Sequence, residues 1–134
     1  MESKLVREPA PPKAEEAASI VVDSALCVHR ELGPGLLESA YETCLADELR
    51  SRGVDVKTQV SMPISYKGRE LKDAYRLDIL VNDCLIVEIK SIENILPVHK
   101  AQLLTYLRFS GIKLGLLINF NTSLIKDGVK RVIR

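Results

Sequence analysis

Aromatic residues are scarce in this sequence. The 134 residues contain four tyrosines, two phenylalanines and no tryptophan, which together make up 4% of the chain. Proteins that bind single-stranded nucleic acids usually stack successive bases on aromatic side chains. A stacking surface of that kind is not obvious from the composition.

Cysteines and long apolar runs are also few. Cys27, Cys44 and Cys84 are far apart, odd in number and form no CxxC pair, which argues against a disulfide framework or a zinc site. No run approaches the roughly 20 apolar residues that cross a bilayer, and the first residues lack the apolar segment of a signal peptide. We therefore expect a cytoplasmic protein without membrane contact.

The length and the 46% hydrophobic content suit a single domain. Charge is unevenly distributed, because residues 1–88 carry 11 basic and 16 acidic side chains, whereas residues 89–134 carry 8 and 2. This asymmetry is compatible with an acidic pocket beside a phosphate-binding surface, and equally with an ordinary solvated surface.

Periodicity and turn residues predict the order of the elements. Residues 1–18 contain three prolines without apolar periodicity, which predicts a flexible tail followed by one domain over 19–134. Patterns of period 3.6 and 2 then predict an α-α-β-β-β-α-β order in a mixed α/β fold. The expected elements are helices over 19–32, from about 36 to 52 and over 97–110, strands over 54–66, 77–81, 85–89 and 113–120, and a short final hairpin of 124–126 with 129–133.

The register of the hairpin at residues 77–90 follows from its apolar pattern. The apolar residues that alternate on both strands are odd-numbered and must face the same core. A three-residue loop centred on Asp83 satisfies this condition and places Asp78 opposite Glu88. A two-residue turn would instead send Asp78 and Glu88 to opposite faces.

Opposed carboxylates repel each other unless a cation or a proton lies between them. Lys90 follows Glu88 by two residues, on the same face of the strand. Hard oxygen ligands favour Mg²⁺ or Mn²⁺, which promote phosphodiester hydrolysis. The alternative is that Asp78, Glu88 and Lys90 are simply exposed side chains of half-buried strands.

Leu77-Asp78 followed by Glu88-Ile89-Lys90 resembles the signature of the PD-(D/E)XK nuclease superfamily, with Leu77 in the place of the proline. The segment from Gly35 to Tyr41 reads G-x-x-E-x-x-Y, and residues 20–133 resemble the GxxExxY family of that superfamily. The resemblance implies a restriction-endonuclease-like α-β-β-β-α-β core, in which helices flank a mixed central sheet.

The resemblance also implies roles for individual residues. Glu38, Asp78, Glu88 and the carbonyl group of Ile89 would bind the metal, and Lys90 would orient water. Glu38 has the alternative role of capping its helix.

Gln102 and Tyr106, four residues apart on one helical face, resemble the QxxxY element of RecB-like nucleases. They would support the site or contact the nucleic acid, although Tyr106 alternatively fills core space. His99 lies one turn before Gln102 and is more typical of a surface or capping residue than of a metal ligand; a substrate contact is its alternative role.

The predicted function is therefore a Mg²⁺- or Mn²⁺-dependent nuclease, with DNA favoured over RNA as its partner. The alternative is a nucleic-acid- or protein-binding module that keeps the nuclease fold without turnover. With either function, the small size of the domain leaves room for a second copy of the chain or a protein partner to supply the missing substrate surface. The sequence lacks the glycine-rich loop, nucleophile motif or cofactor fingerprint of the usual small-molecule enzymes.

Overall fold

The computed structural model describes residues 9–134, which form three helices and one five-stranded mixed sheet. The helices are α1 (Pro12–Leu32), α2 (Glu38–Ser51) and α3 (Pro97–Ser110). The strands are β1 (Val56–Tyr66), β2 (Arg69–Val81), β3 (Leu85–Lys90), β4 (Leu114–Asn119) and β5 (Val129–Ile133). A 3-10 turn over Ile125–Gly128 precedes β5.

The sheet order is β1-β2-β3-β4-β5. β3 and β4 pair in parallel and every other neighbouring pair is antiparallel. The parallel pair requires a crossover, and α3 provides it between β3 and β4. The expected fold, a restriction-endonuclease-like α/β fold with a mixed sheet flanked by helices, is confirmed.

Two apolar layers hold the helices on the sheet. The first joins α1 and α2 to the sheet and contains Tyr41, Leu45 and Phe120, while the second joins α3 to the sheet and contains Leu103 and Leu107. β3 and β4 are buried along nearly their whole length, as central parallel strands usually are. Within residues 9–134, no helix combines the length and hydropathy needed to cross a membrane.

The start of α1 corrects the predicted tail. The helix begins at Pro12 instead of Ser19, and Ala14 and Ala17 are buried against the core. Proline is tolerated in the first helical turn because its missing N–H has no intrahelical partner there. Alanine is a strong helix former, so the segment that looked like a tail extends the helix. The part of the predicted tail at residues 1–8 lies outside the described residues.

The predicted strand over residues 124–126 is also wrong. Ile125 lies in the 3-10 turn with only 3% of its surface exposed. β5 pairs with β4 rather than with a strand formed by residues 124–126. The apolar pattern of this segment reflects burial of a turn against the first apolar layer, which periodicity alone does not distinguish from a short strand.

Candidate active site

The hairpin of β2 and β3 has the predicted register. Its pairs are Ile79 opposite Val87, Leu80 opposite Ile86 and Val81 opposite Leu85. Asn82 and Asp83 adopt left-handed backbone conformations, with φ of 50° and 53°, in the three-residue loop. Continuing the register by one residue places Asp78 opposite Glu88, so the two carboxylates are cross-strand neighbours.

Side chains replace the backbone ladder where β2 and β3 separate. The Asp78 N–H donates to Glu88 Oε2 at 3.2 Å, and the Ile89 N–H donates to Asp78 Oδ2 at 2.8 Å. Each carboxylate is thus held by a backbone donor of the opposite strand. The two acids are fixed at the fork between the strands instead of turning into solvent.

Burial and mutual repulsion make this pair reluctant to ionise. Glu88 is 5% exposed and lies between the buried apolar residues Val87 and Ile89. Burial and then the charge of Asp78 raise the pKa of Glu88 to about 8. Burial likewise raises the pKa of Asp78. Without a cation, one proton shared by the two carboxyl groups relieves the repulsion.

Lys90 and Glu38 border the pair. The positive charge of Lys90 acts against the increase of the pKa at both Asp78 and Glu88. Glu38 is the first residue of α2, and its Oε2 accepts a hydrogen bond from the Ser91 N–H at 3.2 Å. Glu38, Ser91 and Asp78 all line the same cleft, which has a volume of about 550 Å³.

The predicted set of metal ligands is assembled only in part. Within residues 9–134, no three histidine, cysteine, aspartate or glutamate side chains converge as a metal-binding group. Asp78 and Glu88 do converge, and their oxygens are donors that suit a hard divalent cation. Glu38 lies in the cleft but is bound to Ser91. A ligand role for the Ile89 carbonyl stays a prediction.

The structure places Tyr106 close to the pair and Gln102 in a neighbouring cleft. Tyr106 is 4% exposed, and burial followed by the charges of Glu88 and Asp78 raises its pKa to about 12. Tyr106 therefore belongs to the core and also borders the site. Gln102 is exposed on α3.

His99 caps α3, because its Nδ1 accepts a hydrogen bond from the Leu96 N–H at 2.9 Å.

Tyr41 connects the core to the start of α2. Its hydroxyl donates to the Gly33 carbonyl at 2.5 Å and accepts from the Leu36 N–H at 3.1 Å. Its ring stacks on Phe120 with a centroid distance of 4.4 Å. Tyr41 thus holds the loop that leads into Glu38.

Glu42 and Gln59 also line the cleft and were missed in the sequence. The Gln59 side chain donates to both carboxylate oxygens of Glu42, at 2.9 and 3.1 Å. Burial raises the pKa of Glu42, and the charges of Asp78 and Glu38 add to the effect. Gln59 has a positive φ of 52°, a conformation that is uncommon outside glycine and often marks functional sites. No pattern in the neighbouring sequence predicts the role of Gln59.

Asn119, at the end of β4, was missed as well. It is 3% exposed, accepts hydrogen bonds from the Ile92 and Asn121 N–H groups, and donates to the Ile92 carbonyl. It therefore fixes the chain just beyond Lys90. A polar residue that ends an apolar strand is the only signal of this role in the sequence.

The hairpin thus brings two carboxylates and a lysine together at a strand fork of a mixed α/β sheet. The sequence model of the PD-(D/E)XK nuclease superfamily matches residues 15–132, and the chain belongs to that superfamily.

A solved structure described as "Crystal structure of SSO0001" is similar, with 21% identity and a TM-score of 0.47 over 99% of this chain and 73% of the other. No curated protein matches the chain significantly.

Proposed function

We propose that this chain is a metal-dependent nuclease of the GxxExxY branch that hydrolyses phosphodiester bonds, with DNA favoured over RNA. The observation that carries the proposal is the meeting of Asp78 and Glu88 at the fork of β2 and β3. Keeping the buried Glu88 beside the half-buried Asp78 destabilises the fold when both are ionised, and a bound cation relieves that cost. The superfamily membership of residues 15–132 supports a nucleic-acid substrate.

Asp78 and Glu88 would hold Mg²⁺ or Mn²⁺, with Glu38 and the Ile89 carbonyl as further ligands. When bound, a divalent cation of this kind lowers the pKa of water and neutralises charge that develops on phosphorus. The carboxylates keep both strands in position, because each one also accepts a backbone N–H across the fork.

Lys90 is the positively charged side chain that the protein contributes beside the acid pair. It is half-buried at the end of β3, beside the paired acids. Its ammonium group has three donors, which orient water or a phosphate oxygen. The Phe120 N–H donates to the Lys90 carbonyl at 2.9 Å, so the backbone that carries this group is anchored to the segment following β4.

The test compares wild type with Glu88→Gln and Lys90→Ala on plasmid DNA, linear duplex DNA and RNA, with Mg²⁺ or Mn²⁺ and with a chelator. Asp47→Asn is the matched control, because Asp47 is an exposed acid of α2. We expect cation-dependent cleavage by wild type and the control, with loss of at least about 100-fold in both site variants, the usual scale for positioned proton-transfer and charge-stabilising groups.

Equal cleavage by Glu88→Gln and wild type would refute the proposal. If wild type binds nucleic acid in a gel-shift assay but cleaves none of these substrates with either cation, the chain is a binding module that retains the nuclease fold. If it does neither, a protein partner is the better hypothesis.

A further inference from the structure

A second cleft of about 450 Å³ lies between the exposed part of β2 and α3. Tyr75 enters it from β2, three residues before Asp78, while His99, Gln102 and Tyr106 enter from α3. Three residues of extended strand span about 10 Å. The cleft is therefore close to the paired acids, and the charges of those acids also act on Tyr106.

Tyr75 offers an aromatic surface in this cleft. Its side chain is 41% exposed. The centroid of its ring lies 5.5 Å from that of Tyr106, with the planes at 58°, a tilted geometry that is favourable for aromatic pairs. Tyr106 is buried and holds one side of the Tyr75 ring in place. The rest of the ring is free to stack on another planar group.

The polar groups in the cleft suit the edge of a base. His99 Nδ1 accepts a hydrogen bond from the Leu96 N–H, so the neutral ring carries its proton on Nε2 and offers a donor there. Among residues 9–134, the Gln102 amide makes no hydrogen bond and is exposed, so both its donor and its acceptor are available. An aromatic face with donors and an acceptor beside it is the chemistry that recognises a nucleobase.

We propose that this cleft receives an unpaired nucleobase next to the phosphate that meets Asp78 and Glu88. Tyr75 stacks on the base, and His99 and Gln102 contact its edge. The inference deepens the proposed nuclease function and rests on it. A base inside a duplex is stacked on both faces and has no face to offer Tyr75. The substrate class is therefore nucleic acid with an unpaired nucleotide at the site, such as a single strand, a loop or a frayed end.

The test measures binding by fluorescence anisotropy with chelator present, so that cleavage plays no part. The probes are short labelled single strands of DNA and RNA, the same strands with one abasic position moved along them, and a blunt DNA duplex. The variants are Tyr75→Ala and Tyr75→Phe. Tyr66→Ala is the matched control, because Tyr66 is an exposed tyrosine on the neighbouring strand, outside the cleft.

We expect Tyr75→Ala to weaken single-strand binding about tenfold or more, the scale of a lost base–aromatic stack. Tyr75→Phe keeps the aromatic ring and should bind single strands as wild type does. Duplex binding should not change. An abasic position at the cleft should weaken binding by wild type and leave Tyr75→Ala unaffected. A larger effect on DNA or on RNA would show which strand the cleft accepts.

Equal losses on single strands, abasic strands and duplex would overturn the proposal, because they indicate a structural role for the ring. A loss of the same size in Tyr66→Ala would overturn it too, since the effect would not be specific to the cleft. The base-dependent loss is measured without turnover. If it occurs in a protein that cleaves nothing, the cleft stands and the proposed nuclease activity fails.

Discussion

The buried Glu88 should make the stability of this protein depend on pH in a specific way. A carboxyl group whose pKa is about 8 in the folded chain and near 4.5 when exposed takes up a proton on folding at any pH between those two values. The folded state then binds more protons than the unfolded state. The contribution of this group to the free energy of unfolding is therefore greatest below pH 4.5. It falls as the pH rises from 4.5 to about 8 and does not change further above that.

The size of the effect follows from the interval between the two pKa values. At about 1.4 kcal/mol per pH unit, the difference between 4.5 and about 8 corresponds to on the order of 5 kcal/mol. This is a large share of the stability of a small domain. The raised pKa of Asp78 acts in the same direction, so the pair contributes jointly.

Glu88→Gln removes the titrating group while keeping the shape of the side chain. We expect the variant to equal wild type within about 1 kcal/mol near pH 5, and to exceed wild type by several kcal/mol near pH 9. Urea denaturation followed by circular dichroism, in chelator at constant ionic strength, measures both values. Asp47→Asn, an exposed change on α2, is the control and should follow the wild-type profile.

Parallel profiles for wild type and Glu88→Gln across this pH range would refute the reasoning, since they would mean that burial does not oppose the ionisation of Glu88.

A separate prediction concerns the cation. Addition of Mg²⁺ or Mn²⁺ at high pH should stabilise wild type and bring it towards Glu88→Gln, because a ligand that binds only the folded state stabilises that state.

Two further substitutions test the supports of the site. Tyr41→Phe leaves the Gly33 carbonyl and the Leu36 N–H without their partner, and should lower the free energy of unfolding by about 1–3 kcal/mol in urea titrations; an unchanged midpoint would contradict this role. Asn119→Ala removes the hydrogen bonds to both backbone groups of Ile92 and should cost a similar 1–3 kcal/mol, roughly, with faster hydrogen exchange at Ile92 as a local measure. Unaltered exchange there would show that Asn119 does not hold the segment.

The local pattern was sufficient for much of the fold. α3 begins at Pro97 and ends at Ser110, as its proline and Gly111 predict. The apolar alternation correctly predicts the register of β2 and β3, although Leu77 packs in the second apolar layer and not in the first. These features depend on residues that are close along the chain, where steric preference and alternation of faces dominate. The pairing of the two acids was also predictable from the sequence, because Asp78 and Glu88 lie in the two strands of one hairpin.

The tertiary structure decided what distant segments do to each other. Only the folded structure shows that residues 12–18 are helical and that Ile125 lies in a turn. The contact between Tyr75 and Tyr106 joins two of the four tyrosines in a chain whose composition suggested no stacking surface. Such contacts depend on the twist and length of the strands and on the position of α3 against the sheet. These features result from many weak interactions between distant segments and are fixed only when the core packs.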